Sequence, residues 1–413
     1  MQQRKLTLAA IGPGILLAAT GVGGGDLATG TFVGSALGTA VLWAVLVGAF
    51  IKFIVTEGVA RWQLATGNTF LEGIVDKLGR TAIWVLFPYL LMWSLIIGSA
   101  MMSACGVALY ALLPFFDDPE RGKIVYGMVC SLAGVGLVLK GGYRLFEAVM
   151  RVCIAIMFTT VVVTAAMLWP GTGQVLQGLL VPTIPDFDGL GLSRTLALIG
   201  GVGGTLVVVC YGYWMREEGR TGPEDLWICR FDLGAGYLMT AVFGVAMVIV
   251  GSTVEIEGQG TTLLVTLAER LEEPLGVWGK WLFLIGAFGT VFSSLLGTWQ
   301  AIPYLFADCW RLTRARIEPG VAPAVDTSAL PYRAHVVIMG TIPMIGLFYG
   351  FQTVQILYAV IGALFFPFLA LALLIWNGRS DWIGAEFRNR PATIVTLTSV
   401  LLFFSWLGAR SVL

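Results

Sequence analysis

One carboxylate stands at the end of a run of glycines. Residues 12–30 read GPGILLAATGVGGGDLATG, an apolar stretch interrupted by Gly21, Gly23, Gly24 and Gly25 and followed at once by Asp26. Each glycine in a helix interior costs about 1 kcal/mol relative to alanine, so the spacing predicts a helix that opens here and frees backbone N–H and C=O groups. The pattern Gly21-Val22-Gly23-Gly24-Gly25 returns as Gly201-Val202-Gly203-Gly204-Thr205, preceded by Gly200, inside apolar residues 196–213. A carboxylate beside freed amides and carbonyls has one evident use, which is to hold a small ion. In hydrocarbon such groups are tolerated where they line a cavity or bind something, and two glycine-interrupted spans in corresponding places point to the central site of a transporter. The expected substrate-binding residues are therefore Gly21, Gly23, Gly24, Gly25, Asp26, Gly200, Gly201, Gly203, Gly204 and Thr205. The competing explanation is that glycines let membrane helices pack closely; it does not account for the matched clusters or for the acid attached to one of them. Farther along, Thr290, Ser293, Ser294 and Thr298 precede Gln300. Hydroxyls in membrane helices commonly bond back to their own helix. The alternative is a set of oxygen ligands for a coupling Na⁺, drawn from Gly21, Asp26, Ser293 and Ser294.

The elements that must position these residues are membrane helices. Hydrophobic residues make up 57% of the 413, charged residues 12%, the mean hydropathy is +0.85 and the net charge is zero. That composition belongs to an all-α polytopic membrane protein whose solvent is the lipid bilayer, and no basic face invites nucleic acid. About 20 apolar residues make a span. The expected spans are eleven, at residues 8–35, 38–64, 81–114, 122–139, 146–169, 192–215, 233–254, 275–308, 334–351, 354–377 and 392–411. An odd number puts the termini on opposite sides. Lys and Arg gather on one set of loops, from Arg4 and Lys5 to Arg388 and Arg390, which predicts a cytoplasmic N-terminus and an outer C-terminus in a plasma membrane of bacterial type. The N-terminal residues run on into a full span and read as mature sequence.

Charge inside the spans is sparse. The second span holds Lys52, Glu57 and Arg61, the last two spaced to pair on one helix face. Arg144, Glu147 and Arg151 follow the fourth span as a solvated or gating salt-bridge network, which leaves Asp26 as the carboxylate expected at mid-membrane. Tyr211 and Tyr213 before Arg216-Glu217-Glu218-Gly219-Arg220 read as an interfacial aromatic belt with a charged loop, an inner gate being the alternative. Six cysteines are scattered singly, and the one histidine, His335, cannot build a multi-histidine metal site and reads as a packing residue. Neither HExxH nor GxSxG occurs, so the chain is not expected to be an enzyme or to carry a cofactor. A monomer is the plausible state, and a passive channel is disfavoured by a single asymmetric pair of broken helices.

Several short motifs, in order, resemble the Nramp family of metal-ion transporters. They are Gly12-Pro13-Gly14 opening the first span, Gly142-Tyr143-Arg144-Leu145-Phe146-Glu147 before the fifth, and Leu176-Gln177-Gly178-Leu179-Leu180-Val181-Pro182 before the sixth. Phe365-Phe366-Pro367-Phe368 and Asn377-Gly378-Arg379 complete the set. The resemblance implies a LeuT-like fold, with residues 1–169 and 170–377 as inverted repeats, helices one and six broken, and residues 378–413 as an added helix. The mechanism expected of such a fold is alternating access by a rocking bundle, spans one, two, six and seven moving against three, four, eight and nine. At the site the chain departs from the family. Where the family has Asp-Pro-Gly-Asn, this chain has Gly23, Gly24, Gly25 and Asp26; where it has Met-Pro-His, this chain has about Gly204, Thr205 and Leu206. Acids that the family often places in its third span are missing.

Loss of thioether and imidazole removes the preference for later transition metals, while carboxylate, carbonyl and water suit Mg²⁺, Ca²⁺ and Mn²⁺. A hard, partly hydrated divalent cation held by Asp26, moved with H⁺ or Na⁺, is the first expectation. The alternative is a small anion such as bicarbonate or a carboxylate, bound by the amides and half-helix N-termini of the two glycine breaks with Na⁺ or H⁺ as the coupled cation.

Overall fold

The computed structural model describes residues 12–204, 206–254, 260–314 and 325–412. Among them the chain is helical throughout: α1 (Pro13–Gly21), α2 (Gly30–Leu37), α3 (Leu42–Thr66), α4 (Phe70–Leu78), α5 (Thr81–Leu112), α6 (Pro119–Met167), α7 (Thr172–Leu180) and α8 (Gly191–Gly201). There follow α9 (Tyr211–Glu217), α10 (Leu226–Gly251), α11 (Leu263–Arg314), α12 (Leu330–Thr341), α13 (Phe351–Ala363), α14 (Phe365–Trp376), α15 (Ser380–Ile383) and α16 (Pro391–Val412). Among the described residues seven helical stretches are long and apolar enough to cross a membrane, and Phe158–Met167 and Pro391–Ser405 add shorter apolar helices. Large apolar side chains such as Trp84, Val85, Leu180 and Trp278 point outward, as a bilayer requires.

Over its described residues each of the eleven expected hydrophobic stretches is mainly helical, with one difference in how they are joined. The fourth and fifth lie within the single helical run α6. A straight helix of 49 residues would be about 73 Å long, more than twice the hydrocarbon thickness. Both ends of α6 nevertheless lie at the same end of the molecule. Glu120 bonds Thr261 and Lys123 donates to the Tyr349 carbonyl, while α7, which follows α6, packs through Gly178 on Thr39. Ser35 and Phe32 tie that same end to Val254 and Gly260. The run therefore crosses and returns, serving as two spans.

The two glycine clusters fold differently. In the first, α1 passes into Val22–Thr29 wound as a π-helix and on into α2, without extended backbone. The wider i→i+5 winding hands the Gly23 N–H to an outside partner, Ser294, so the opening expected from Gly21, Gly23, Gly24 and Gly25 is corrected to a widening. In the second, α8 ends at Gly201, Gly203 and Gly204 take φ of +72° and +81°, and a 3-10 turn over Leu206–Cys210 leads into α9. Those left-handed torsions are open to glycine and costly for other residues. The predicted break is found here.

The two clusters touch. A Cβ on Gly21 would overlap the backbone of Gly203 and Gly204. Around this junction α10 packs on α1, α2 and α3, and α11 packs on α1, α5 and α6. Helix α3 is the spine of the second break: Lys52 reaches the end of α8, and three turns on Gln63 donates to the Gly212 carbonyl of α9 at 2.7 Å.

Candidate functional site

At the junction, Asp26 and Lys52 are each 1% exposed. Both carboxylate oxygens of Asp26 accept from the Gly203 N–H at 3.2 Å. The Lys52 ammonium donates to the Gly200 carbonyl at 2.8 Å and to the Val202 carbonyl, and lies 5.3 Å from the centre of the Phe366 ring. The chemistry is that of a helix end. The last carbonyls of α8 have no partners within the helix and carry about half a unit of negative charge between them. Lys52 satisfies those carbonyls, and Asp26, within electrostatic range, balances its charge. Burying either charge alone would cost several kcal/mol.

Hydroxyl groups complete the junction. Thr56, one turn beyond Lys52 on α3, donates to the Lys52 carbonyl, so the Tyr237 hydroxyl at 2.7 Å must donate to Thr56. The Tyr237 ring lies 3.1 Å from where a Cβ on Gly203 would stand. Thr29, in the π-wound segment, presents a buried Oγ1 beside Gly201 that has no hydrogen-bond partner among the described residues.

The structure brings Gly21, Asp26, Gly200, Gly201, Gly203 and Gly204 into one place, with Gly23, Gly24 and Gly25 in the adjoining π-wound turn. Thr205 lies outside the described residues. Ser294 joins them, accepting the freed Gly23 N–H at 2.8 Å. Ser293 does not: its hydroxyl bonds the Thr290 carbonyl, and Thr290 and Thr298 likewise bond back to their own helix. Of the four positions expected for a coupling ion, the three with side-chain oxygens are therefore split, Asp26 facing Gly203, Ser294 facing Gly23 and Ser293 facing its own backbone. Among the described residues no three His, Cys, Asp or Glu side chains gather as a metal cage.

A second polar region lies at the opposite end of the helices from Lys123. Asp232 of α10, wholly buried, accepts from the Gly14 N–H at 2.8 Å, Tyr211 at 3.1 Å and Arg220 at 2.8 Å. Asp308 accepts from Tyr213 at 2.6 Å and Thr69 at 3.1 Å, while Arg311 bridges Asp308 and Glu72. Arg216 stands 3.7 Å from Glu72 and donates to the Gly67 carbonyl. Glu57 pairs with Arg61 as the spacing predicted, and also with Arg230. Tyr211 and Tyr213 are thus buried bridges to carboxylates, which corrects the expected interfacial belt. Three further carboxylates, Asp232, Asp308 and Glu72, are as buried as Asp26, at this end of the helices; a span begun at residue 233 leaves Asp232 in a loop, although its helix starts at Leu226. His335 is buried and stacked 4.0 Å from the Phe306 ring, a packing role as expected, but neither ring nitrogen finds a partner among the described residues. Arg144, Glu147 and Arg151 have side chains outside the description.

A polytopic membrane protein with two interrupted helices meeting at a buried charged junction is the class these features define, and its fold is LeuT-like. A mutant manganese transporter of Eremococcus coleocola superposes with a TM-score of 0.67 at 17% identity, covering 96% of this chain and 85% of that one. MhsT in complex with L-phenylalanine superposes at 0.65 with 15% identity, covering 94% and 95%. In sequence the chain is 25% identical over 298 residues to an uncharacterised protein of Pasteurella multocida, covering 70% of this chain and 67% of that one. It is 21% identical over 305 residues to the divalent metal cation transporter MntH of Yersinia enterocolitica, covering 71% and 72%. Residues 14–413 match the model of the natural resistance-associated macrophage protein-like family, Nramp, and the chain belongs to that family.

Proposed function

We propose that this protein is a secondary active transporter that carries a small inorganic ion, a hard divalent cation such as Mn²⁺ or Mg²⁺, across the membrane by alternating access. The observation that carries the proposal is one buried carboxylate, Asp26, held against the break of a second helix in an Nramp-family chain. The cation would meet Asp26 while keeping several of its waters, since one carboxylate and backbone oxygens suffice for a hard ion of that kind. Coupling to H⁺ or Na⁺ supplies the driving force. Residues 1–169 and 170–377 form the two inverted repeats, and the N-terminus faces the cytoplasm. On that orientation the Asp308 cluster serves as the inner gate, because Tyr213 of the moving bundle meets Asp308 of the eighth span, whereas Asp232 ties the first, sixth and seventh spans together within the bundle.

A second substrate is favoured by a specific observation. Lys52, the Gly203 amide and the lack of a metal cage among the described residues suit a small anion such as bicarbonate. Uptake into proteoliposomes separates the two. Mn²⁺ or Mg²⁺ accumulation that saturates, with no labelled bicarbonate entering, supports the cation. Bicarbonate uptake without metal flux overturns it.

A further inference from the structure

We infer that Lys52 is a built-in monovalent cation, filling a site at the end of α8 that would otherwise bind a free ion such as Na⁺. The inference rests on the transporter reading and narrows its coupling: the protein needs no Na⁺, because the side chain holds that place. Two observations point to a cation site rather than to ordinary packing. The ammonium sits on a pair of carbonyls, Gly200 and Val202, at a helix end whose partial charge is negative, with the Asp26 carboxylate nearby. Beside the same turn, Thr29 Oγ1 is buried without a partner among the described residues and offers another oxygen. The two carbonyls on the ammonium, with a hydroxyl beside the same turn and a carboxylate within electrostatic range, are the oxygens such a hard monovalent ion would draw on.

Lys52 differs from a bound ion in one respect that matters for transport. It is tethered to α3, so it cannot leave with the substrate, and the charge at the end of α8 remains satisfied through the cycle. A transporter built this way shows the same substrate uptake in Na⁺, K⁺ or choline media.

The test needs no transport. Purified protein in detergent is unfolded by heat in NaCl, KCl or choline chloride of equal ionic strength. Wild type is expected to unfold at one temperature in all three. Lys52→Ala, which empties the site and keeps Asp26, is expected to unfold earlier in choline and to recover by about 1–2 °C for each tenfold rise in Na⁺ above its Kd. Lys52→Met, which keeps the volume of the stem, guards against a variant that loses the fold through a cavity, and is expected to respond to Na⁺ less than Lys52→Ala. Adding Asp26→Asn to Lys52→Ala is expected to abolish the Na⁺ response. Saturable stabilisation of wild type by Na⁺ overturns the proposal, and so does a folded Lys52→Ala with no preference for Na⁺ over choline. Failure of both single variants to fold even in NaCl also overturns it, because Na⁺ then does not fill the emptied site. A wild type that carries no ion but shows this pattern would contradict the transport reading and leave the cation-site assignment standing.

Discussion

Two stretches with nearly the same glycine spelling take different shapes. Gly21-Val22-Gly23-Gly24-Gly25 stays wound as a wide helix, whereas Gly201-Val202-Gly203-Gly204 stops a helix and turns left-handed. The difference lies in what surrounds them. The first cluster is clamped between α10 and α11 and presses its Gly21 on the second cluster, so extended backbone there would find few partners. The second has partners waiting for its open backbone: Lys52 for the carbonyls of Gly200 and Val202, Asp26 for the amide of Gly203. A glycine cluster permits a break; a buried charge on a neighbouring helix decides whether one forms.

The comparison can be broken most forcefully at its charges. Asp26→Ala leaves Lys52 buried without its balancing charge, and a loss of about 3–5 kcal/mol in unfolding free energy is expected. Much of that loss should return in Asp26→Ala combined with Lys52→Met, measured by chemical denaturation in detergent. Additive losses would mean that the two groups act independently.

Next in size is Gly203→Ala. Its φ of +72° and the Tyr237 ring 3.1 Å from the new methyl carbon predict a loss of about 2 kcal/mol. Thermal unfolding as stable as wild type would show that the second break can close into ordinary helix.

Smaller effects test the first cluster through the Gly23 amide. Ser294→Ala removes the acceptor of Gly23 N–H and is expected to cost about 1 kcal/mol. Ser293→Ala removes a bond to its own helix and should cost no more than about 0.5 kcal/mol. Equal losses in a calorimeter would contradict the different roles assigned to these adjacent serines.

Much of this arrangement was legible in the residues. Local composition marked both glycine clusters and Asp26, hydropathy marked the spans, and the four-residue spacing marked the Glu57–Arg61 pair. The rest depends on long-range contact. No local rule says that Lys52 ends 148 residues away on Gly200, or which cluster will adopt positive φ, since both are rich enough in glycine to do so. Asp232 and the two tyrosines near Arg216 were misplaced for a related reason. Averaged hydropathy assigns polar residues at a span's edge to solvent, whereas here Asp232 and Asp308 draw Tyr211, Tyr213 and Arg220 inward and satisfy them there. The short family motifs fixed the order of the elements; they carried no information on the altered site itself.

The most direct test of the central claim compares two buried carboxylates in one assay, Mn²⁺ uptake by proteoliposomes under an inward-driving gradient. Asp26→Asn is expected to abolish uptake while Asp232→Asn, remote from the junction, retains saturable uptake with an altered maximal rate. Undiminished uptake by a folded Asp26→Asn protein would contradict the claim that the junction of the two glycine clusters is where the ion binds.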